Sequence, residues 1–315
     1  MRRGTFVAGT IACASGLAVP HAAPAASGDL PVVTVGTIPS DTAAVVNYAR
    51  DLGEFTRAGL DVRISIMNNG PTVAAAVTGG ALDVGAMNSG SLAVARARGV
   101  PLKFFAPCAL QTPATKNDVI MVRGDSPIRT GADLNGKTVG IVAVKTMQYA
   151  AALAWIDKHG GDAKTVKFIE VPFPQMVGAL DQARVDAAIP SEPFASIARA
   201  KGHRVIGYTY DAMAPRFMLF GFAATDRWLQ AHPDLAVKFA AAIRKAATWA
   251  NAHHEQSAAM LVALTKVDPA LARSMERATY GTTLDPSLIQ PVIDVIAKYG
   301  ILERPIDPNE LVWHA

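Results

Sequence analysis

Short β-branched runs alternate with stretches whose apolar residues recur every three or four positions, and this rhythm predicts strands and helices in turn. Val32 to Ile38 predicts a strand, Ala43 to Ala58 a helix ended by Gly59, and Leu60 to Met67 a second strand. A short helix over Thr72 to Thr78 stops at Gly79-Gly80, and a strand over Asp83 to Met87 leads into a helix over Ser91 to Arg98. Leu102 to Leu110 completes a β-α-β-α-β-α-β series, which predicts a mostly parallel sheet with helices on both faces.

Gln111 to Asn117 carries no periodicity and predicts a crossing into a second lobe. The rhythm then resumes, with strands over Val119 to Arg123, Thr138 to Ala143, Val166 to Val171, Asp186 to Ile189 and Arg204 to Thr209. Helices are predicted over Thr146 to His159, Pro174 to Ala183 and Phe194 to Lys201. Asp211 to Arg216 predicts the return crossing, and Phe217 to Thr225 a strand back in the first lobe. Amphipathic helices over Trp228 to Ala231, Asp234 to His253, Gln256 to Val267, Pro269 to Tyr280 and Pro286 to Tyr299 should pack around the first sheet and brace the hinge.

One stretch is used twice. Gly79 to Ser91 and Leu180 to Pro193 each end a helix, give a short strand begun by an aspartate, and open a small-residue loop; Asp83 and Asp186 lie 103 residues apart. Val35-Gly36 and Val139-Gly140 repeat at an offset of 104. Matched offsets predict two lobes of one design: residues 27–112 with 216–315, and residues 113–215. The cleft between them is the expected binding place, because open α/β sheets take ligands beyond the carboxyl ends of their strands. A hinge of two crossings permits closure.

Composition narrows the classes. Hydrophobic residues make up 50% of the 315 positions and charged ones 18%, which argues for real cores and against disorder. Residues 1–26 have the form of a signal peptide, with basic Arg2-Arg3, an apolar run from Thr5 to Val19 and a cleavage-type Ala23-Pro24-Ala25. Sec export and a Tat-like route through the paired arginines both fit, whereas Thr10-Ile11-Ala12 before Cys13 is a poor lipoprotein signal. The expected location is therefore the periplasm. Without Arg2 and Arg3 the net charge falls from +4 to +2, with no basic block to suit nucleic acid. Cys108 alone remains after cleavage, so no intrachain disulfide is expected.

The strand-end loops supply the candidate ligand-binding residues: Ser40, Asp41, Thr42, Asn68, Asn69, Asn88, Ser89, Gly90, Lys145, Thr146, Met147, Ser191, Glu192 and Arg216. Hydroxyls and helix N–H groups suit the oxygens of a small anion, with Lys145 and Arg216 as its charge partners. Asp41 and Glu192 argue the other way: Asp41 also reads as the cap of the first helix, and Glu192 as a cap or one side of a hinge salt bridge. One helix terminus contributes roughly 0.3 to 2 kcal/mol, whereas micromolar binding needs about 8 kcal/mol, so direct hydrogen bonds and apolar contact must supply the rest. Met87, Met147 and Phe217 read as core before they read as a cleft wall, and Cys108 as an inert core thiol. No spacing among the histidines fits a metal site, and neither metal nor cofactor is expected.

Three motifs in order carry a family resemblance: Gly79-Gly80-Ala81-Leu82-Asp83-Val84-Gly85, Leu134-Asn135-Gly136-Lys137-Thr138-Val139-Gly140, and Val185-Asp186-Ala187-Ala188 followed by Glu192-Pro193-Phe194. From about Val33 to Tyr299 the chain resembles the periplasmic substrate-binding proteins of nitrate, taurine and alkanesulfonate ABC importers, which share a fold with the thiamine-pyrimidine synthases. The resemblance implies a two-lobed type II binding-protein fold. It implies a monomer that delivers a small solute to an ABC permease and its ATPase without chemistry on the solute. Ser191, where relatives often carry an aromatic residue, and Val144-Lys145, where a Gly-Ser-like turn is common, leave the solute open among sulfonates, organic and aromatic carboxylates, and nitrogenous rings. A desulfinase-like or pyrimidine-synthase-like enzyme and a sensor module are the alternatives; either enzyme would need a reactive cleft cysteine or a cofactor-bearing residue.

Overall fold

The computed structural model describes Met1, residues 29–116 and residues 118–314. The expected leader with Arg2, Arg3, Cys13 and Ala23 to Ala25 lies outside the described residues, as does Asn117 at the end of the first crossing.

The chain lays down β1 (Val32–Thr37), α1 (Val45–Asp51), α2 (Glu54–Arg57), β2 (Asp61–Ile66), α3 (Gly70–Thr78), β3 (Val84–Asn88), α4 (Ser89–Ala97) and β4 (Leu102–Gln111). It then builds β5 (Val119–Val122), β6 (Thr138–Ile141), α5 (Met147–Lys158), β7 (Lys167–Glu170), α6 (Phe173–Asp181), β8 (Ala187–Ala188), α7 (Phe194–Ala200) and β9 (Arg204–Tyr208). The return gives β10 (Phe217–Thr225), α8 (Asp226–Ala231), α9 (Pro233–Ala252), α10 (His254–Thr265), α11 (Pro269–Ser274), β11 (Thr279–Tyr280) and α12 (Gln290–Lys298).

Two sheets result, in the orders β11-β4-β10-β3-β1-β2 and β7-β6-β8-β5-β9. In the first, β1 runs parallel to β2 and β3, and β10 lies antiparallel between β3 and β4. In the second, β6 runs parallel to β7 and β8, and β5 lies antiparallel between β8 and β9. The five-strand plan is therefore the same in both. One carboxylate does the same work in each copy: Asp83 Oδ2 accepts from Thr34 N–H at 2.8 Å, and Asp186 Oδ2 accepts from Thr138 N–H at 2.8 Å. Each aspartate thereby ties the start of a short strand to the start of its parallel neighbour, which fixes the register.

Small residues let helices lie directly on the strands. A Cβ on Gly85 of β3 would stand 2.5 Å from Val73 Cγ1 of α3, so only glycine admits this approach. Behind the first sheet, the ring of Phe239 on α9 packs 5.0 Å from that of Phe55 and 5.4 Å from that of Phe222. The helix α12 touches α4 and α5, one helix of each sheet unit, and Tyr299 just beyond it donates to Asp157 at 2.9 Å. The C-terminal helices thus reach the second unit as well as the first sheet.

Two expected helices are broken. Ala43 to Ala58 divides at Gly53, whose φ of 73° lies in the left-handed region that glycine reaches without strain. Pro269 to Tyr280 ends at Ser274, because Met275 turns extended and Thr279–Tyr280 joins the edge of β4. That change of structure brings Arg277 and Ala278 onto Asp41.

Candidate functional site

The loops at the carboxyl ends of β1, β2 and β3 face those of β6, β7 and β8 across a cavity. It encloses about 480 Å³ not filled by atoms, some of it continuous with solvent. The room within it for the centres of water-sized molecules is about 30 Å³, so a solute larger than a few atoms needs the units to part. The first unit supplies Ile38 and Thr42, Asn69 to Pro71, and Asn88; the second supplies Val142, Ala143, Thr146, Gln148, Phe173 and Ser191. Asp118 and Tyr210, at the ends of the crossings, and Leu219 and Phe220 of β10 complete the wall.

Local structure aims these groups. Asn69 caps α3, its Oδ1 accepting from Thr72 N–H at 2.9 Å, and Asn88 caps α4, its Oδ1 accepting from Ser91 N–H at 2.7 Å. Thr146 caps α5 and donates to the carbonyl of Ala143 at 2.9 Å. These caps hold side chains at helix N-termini that point into one space.

Of the expected residues, Thr42, Asn69, Asn88, Thr146 and Ser191 line the cavity. Ser40 stands behind Thr42, their hydroxyls sharing a hydrogen bond of 2.8 Å. Ser89 turns away and donates to the carbonyl of Met218 at 2.6 Å. Gly90 and Met147 press against each other where the two units meet, and Asn68 is exposed. Met87 and Phe217 are fully buried core.

The charged expectations need correction. Lys145 is exposed and borders a separate surface hollow with Tyr149, Phe168 and Tyr299, while Arg216 is exposed at the return crossing. Neither lines the cavity as a charge partner. Asp41 is fully buried and does not act as a cap: its carboxylate accepts from Arg277 Nε at 3.1 Å, Arg277 Nη2 at 3.0 Å, Tyr280 OH at 3.0 Å and Ala278 N–H at 2.6 Å. Its own N–H donates to the Glu192 carbonyl at 3.0 Å, so this loop joins one unit to the other. Glu192 is buried too, accepting from Arg199 at 2.7 Å and from Ser196 N–H at 3.0 Å. Burial raises its pKa, and the contacts to Ser196 and Arg199 oppose that rise.

Sequence reasoning missed Asp118, Gln148, Phe173 and Tyr210. Asp118 Oδ2 accepts from Thr209 Oγ1 at 2.7 Å and Oδ1 from Gln148 Nε2 at 2.8 Å. Burial pushes its pKa up to about 7 against the lowering effect of Thr209, Gln148 and Tyr210. The available signal was a carboxylate set directly before the wholly apolar strand β5, as Asp83 and Asp186 are set before theirs. Nothing in the sequence joins it to Gln148, thirty residues on. Cys108 is buried, donates to the Thr42 carbonyl at 3.2 Å, and has its thiol pKa pushed up by burial. Among the described residues no group of three His, Cys, Asp or Glu side chains could hold a metal ion, and no helix is long and apolar enough to cross a membrane.

The chain is 23% identical over 283 residues to a Brucella abortus (strain 2308) protein whose name assigns it a supposed binding role, covering 85% of each. The structure of the alkanesulfonate-binding protein SsuA from Xanthomonas axonopodis pv. citri, bound to MOPS, superposes with a TM-score of 0.77 at 17% identity, over 92% of this chain and 100% of that one. The desulfurization enzyme DSZB superposes with a TM-score of 0.67 at 15% identity, over 90% of this chain and 96% of that one. The fold is that of the type II periplasmic binding proteins, and it is shared by binding proteins and an enzyme. The sequence profile described as NMT1/THI5-like matches residues 40–257, from the loop bearing Thr42 through both crossings into α10, and the chain belongs to that family.

Proposed function

We propose that the protein is an extracytoplasmic solute-binding protein, which captures a small molecule between its two units and hands it unaltered to an ABC permease and its ATPase. The observation that carries this reading is the cavity itself, lined by strand-end loops from both sheets and bridged by the Asp41 to Glu192 hydrogen bond. Residues 27–112 with 216–315 and residues 113–215 act as the moving bodies, and the crossings between them as the hinge. Export through the leader would place the protein in the periplasm, where a monomer suffices for the task. Thr42, Asn69, Asn88, Thr146 and Ser191 are the expected residues best placed to touch the solute.

Likeness to DSZB keeps catalysis on this fold in view, but the one thiol among the described residues argues against that route. Cys108 is buried with a raised pKa, whereas a nucleophilic cysteine needs an accessible thiolate.

The test is a thermal-shift screen over sulfonates, carboxylates and nitrogenous heterocycles, with every hit recovered and analysed after incubation. Binding that raises the melting temperature, returns the compound unchanged, and weakens at least ten-fold in Asn88→Ala and Thr146→Ala supports the reading. Turnover of a hit, or binding indifferent to both substitutions, overturns it.

A further inference from the structure

The polar groups of the cavity are sorted by side. On the first unit the amide oxygens of Asn69 and Asn88 are committed to their own helices, the former accepting from Thr72 N–H and Oγ1, the latter from Ser91 N–H. The caps fix the orientation of both amides, so what they can turn toward the cavity is their NH₂ groups, which only donate. On the far side stands Asp118, with one oxygen receiving Gln148 and the other Thr209. Tyr210 also hydrogen-bonds this carboxylate, and of the four acceptor sites on its two oxygens one stays open to a solute. Gln148 has no spare donor to intervene: its Nε2 gives to Asp118 and to the Ile189 carbonyl, and its Oε1 accepts from Val142 N–H.

Charge is equally one-sided. Among the described lining residues Asp118 is the sole carboxylic acid, Tyr210 the sole other titratable group, and Lys, Arg and His are absent. The nearby guanidinium groups are occupied, Arg277 by Asp41 and Arg199 by Glu192. A monoanion in this space would meet a carboxyl group with no cation to offset it, an arrangement that disfavours both charges in a desolvated site.

We infer that the solute is a neutral, zwitterionic or cationic molecule whose N–H group donates to Asp118 while an acceptor edge takes the amide hydrogens of Asn69 and Asn88. Amidines, primary amides, aminoheterocycles and amino acids meet this description; simple sulfonates and carboxylates do not. The inference rests on the binding reading above and narrows it to a class of solute.

The groups acting on Asp118 are Thr209, Gln148 and Tyr210, and of these only Tyr210 titrates. Burial holds the Tyr210 phenol well above its ordinary pKa, so it stays neutral while Asp118 ionises near pH 7. An ionised Asp118 is the stronger acceptor, so affinity for an N–H donor should rise with pH through that range.

The experiment is titration calorimetry on the full chain with two isosteric series: benzamidine, benzamide, benzoate and benzenesulfonate, then acetamidine, acetamide, acetate and methanesulfonate. The expected result is that an amidine or amide binds at least ten-fold more tightly than the anions of its series. Its affinity should climb between about pH 6 and pH 8, and Asp118→Asn should cut that affinity ten-fold or more and flatten the climb. The pH profile of the unaltered protein needs no variant and stands as an independent readout should Asp118→Asn fold poorly. Anions binding as tightly as their N–H counterparts, or no amidine or amide binding at all, overturns the inference. If those anions lose affinity in Asn88→Ala, the cavity reading survives and the solute class alone is wrong. If amidine binding is indifferent to both Asn88→Ala and Thr146→Ala, the cavity reading falls and the inference with it.

Discussion

Gly90 rests against Met147 so closely that a Cβ placed on it would stand 2.8 Å from the Met147 Cβ and 3.1 Å from its Cα and nitrogen. The two residues open α4 and α5, the helices that begin beside the cavity on opposite units. Contact is with the Met147 backbone and its Cβ, whose position no rotamer change alters, so an added methyl group must push the units apart.

Gly90→Ala is therefore expected to weaken solute binding ten-fold or more while leaving stability nearly intact. Parting the units removes the clash, and alanine favours the helix by roughly 0.5 to 1 kcal/mol over glycine. Calorimetry and small-angle scattering check this together: a lower affinity should accompany a larger radius of gyration. Unchanged affinity would mean that the contact plays no part in closure.

A second expectation concerns Arg277, whose side chain is 8% exposed and faces the fully buried carboxylate of Asp41. Removing one partner of a buried pair costs about 3 to 5 kcal/mol, because the other charge is left uncompensated. Arg277→Ala should lose stability on that order in urea, and Arg277→Lys should recover only part of it, since an ammonium cannot serve both Asp41 oxygens as the guanidinium fork does. The Asp41 N–H bonded to Glu192 should also lose order, which hydrogen exchange at that amide would register.

How much of this was legible follows from the separation of the partners. The matched offsets of Asp83 with Asp186 and of Val35-Gly36 with Val139-Gly140 sit in short segments of regular pattern, and their counterparts occupy equivalent places: Val35 pairs with Val84 as Val139 pairs with Ala187. The loops carrying Thr42, Asn88, Thr146 and Ser191 could be found because strand ends and caps leave local marks. Asp41 could not be read correctly, since its partner lies 236 residues away in a stretch whose spacing imitates a helix. The same holds for Lys145 and Arg216: loop position is visible in sequence, but the direction of a side chain from that loop is not. Asp118 was overlooked because its neighbours Gln148 and Thr209 reach it only through tertiary packing.

Cys108 separates binding from catalysis by a simple measurement. Its thiol is buried, with a pKa raised by burial, and it donates to the Thr42 carbonyl. A thiol reagent should leave Cys108 of the native protein unlabelled and react with it fully once denaturant is added. Cys108→Ser keeps a donor of similar size for the same carbonyl and should leave solute affinity within about two-fold, a difference of roughly 0.4 kcal/mol. Rapid native labelling, or a solute that is consumed by the parent protein and spared by the serine variant, would point to chemistry at this position.

The last expectation follows from Asp118 alone, before any solute is added. An unperturbed aspartate has a pKa of about 3.9, and in the folded protein burial lifts this one to about 7. Between those values the folded chain holds the more protons. Stability contributed through this group must then fall as pH rises from about 4 to about 7, and level off above. The cost of burying the ionised form is on the order of a few kcal/mol, at 1.36 kcal/mol for each unit. Asparagine cannot ionise and can still receive Gln148 or Thr209, so Asp118→Asn should come nearest the parent at about pH 4 and exceed it in stability at pH 8. Urea unfolding of both proteins at intervals across that range checks the sign: the gap should open with rising pH and close again when a cationic solute such as an amidine is bound to the parent. A gap that is constant with pH would mean that Asp118 already titrates as an exposed carboxylate, and with that the cavity would lose the acceptor on which its selectivity depends.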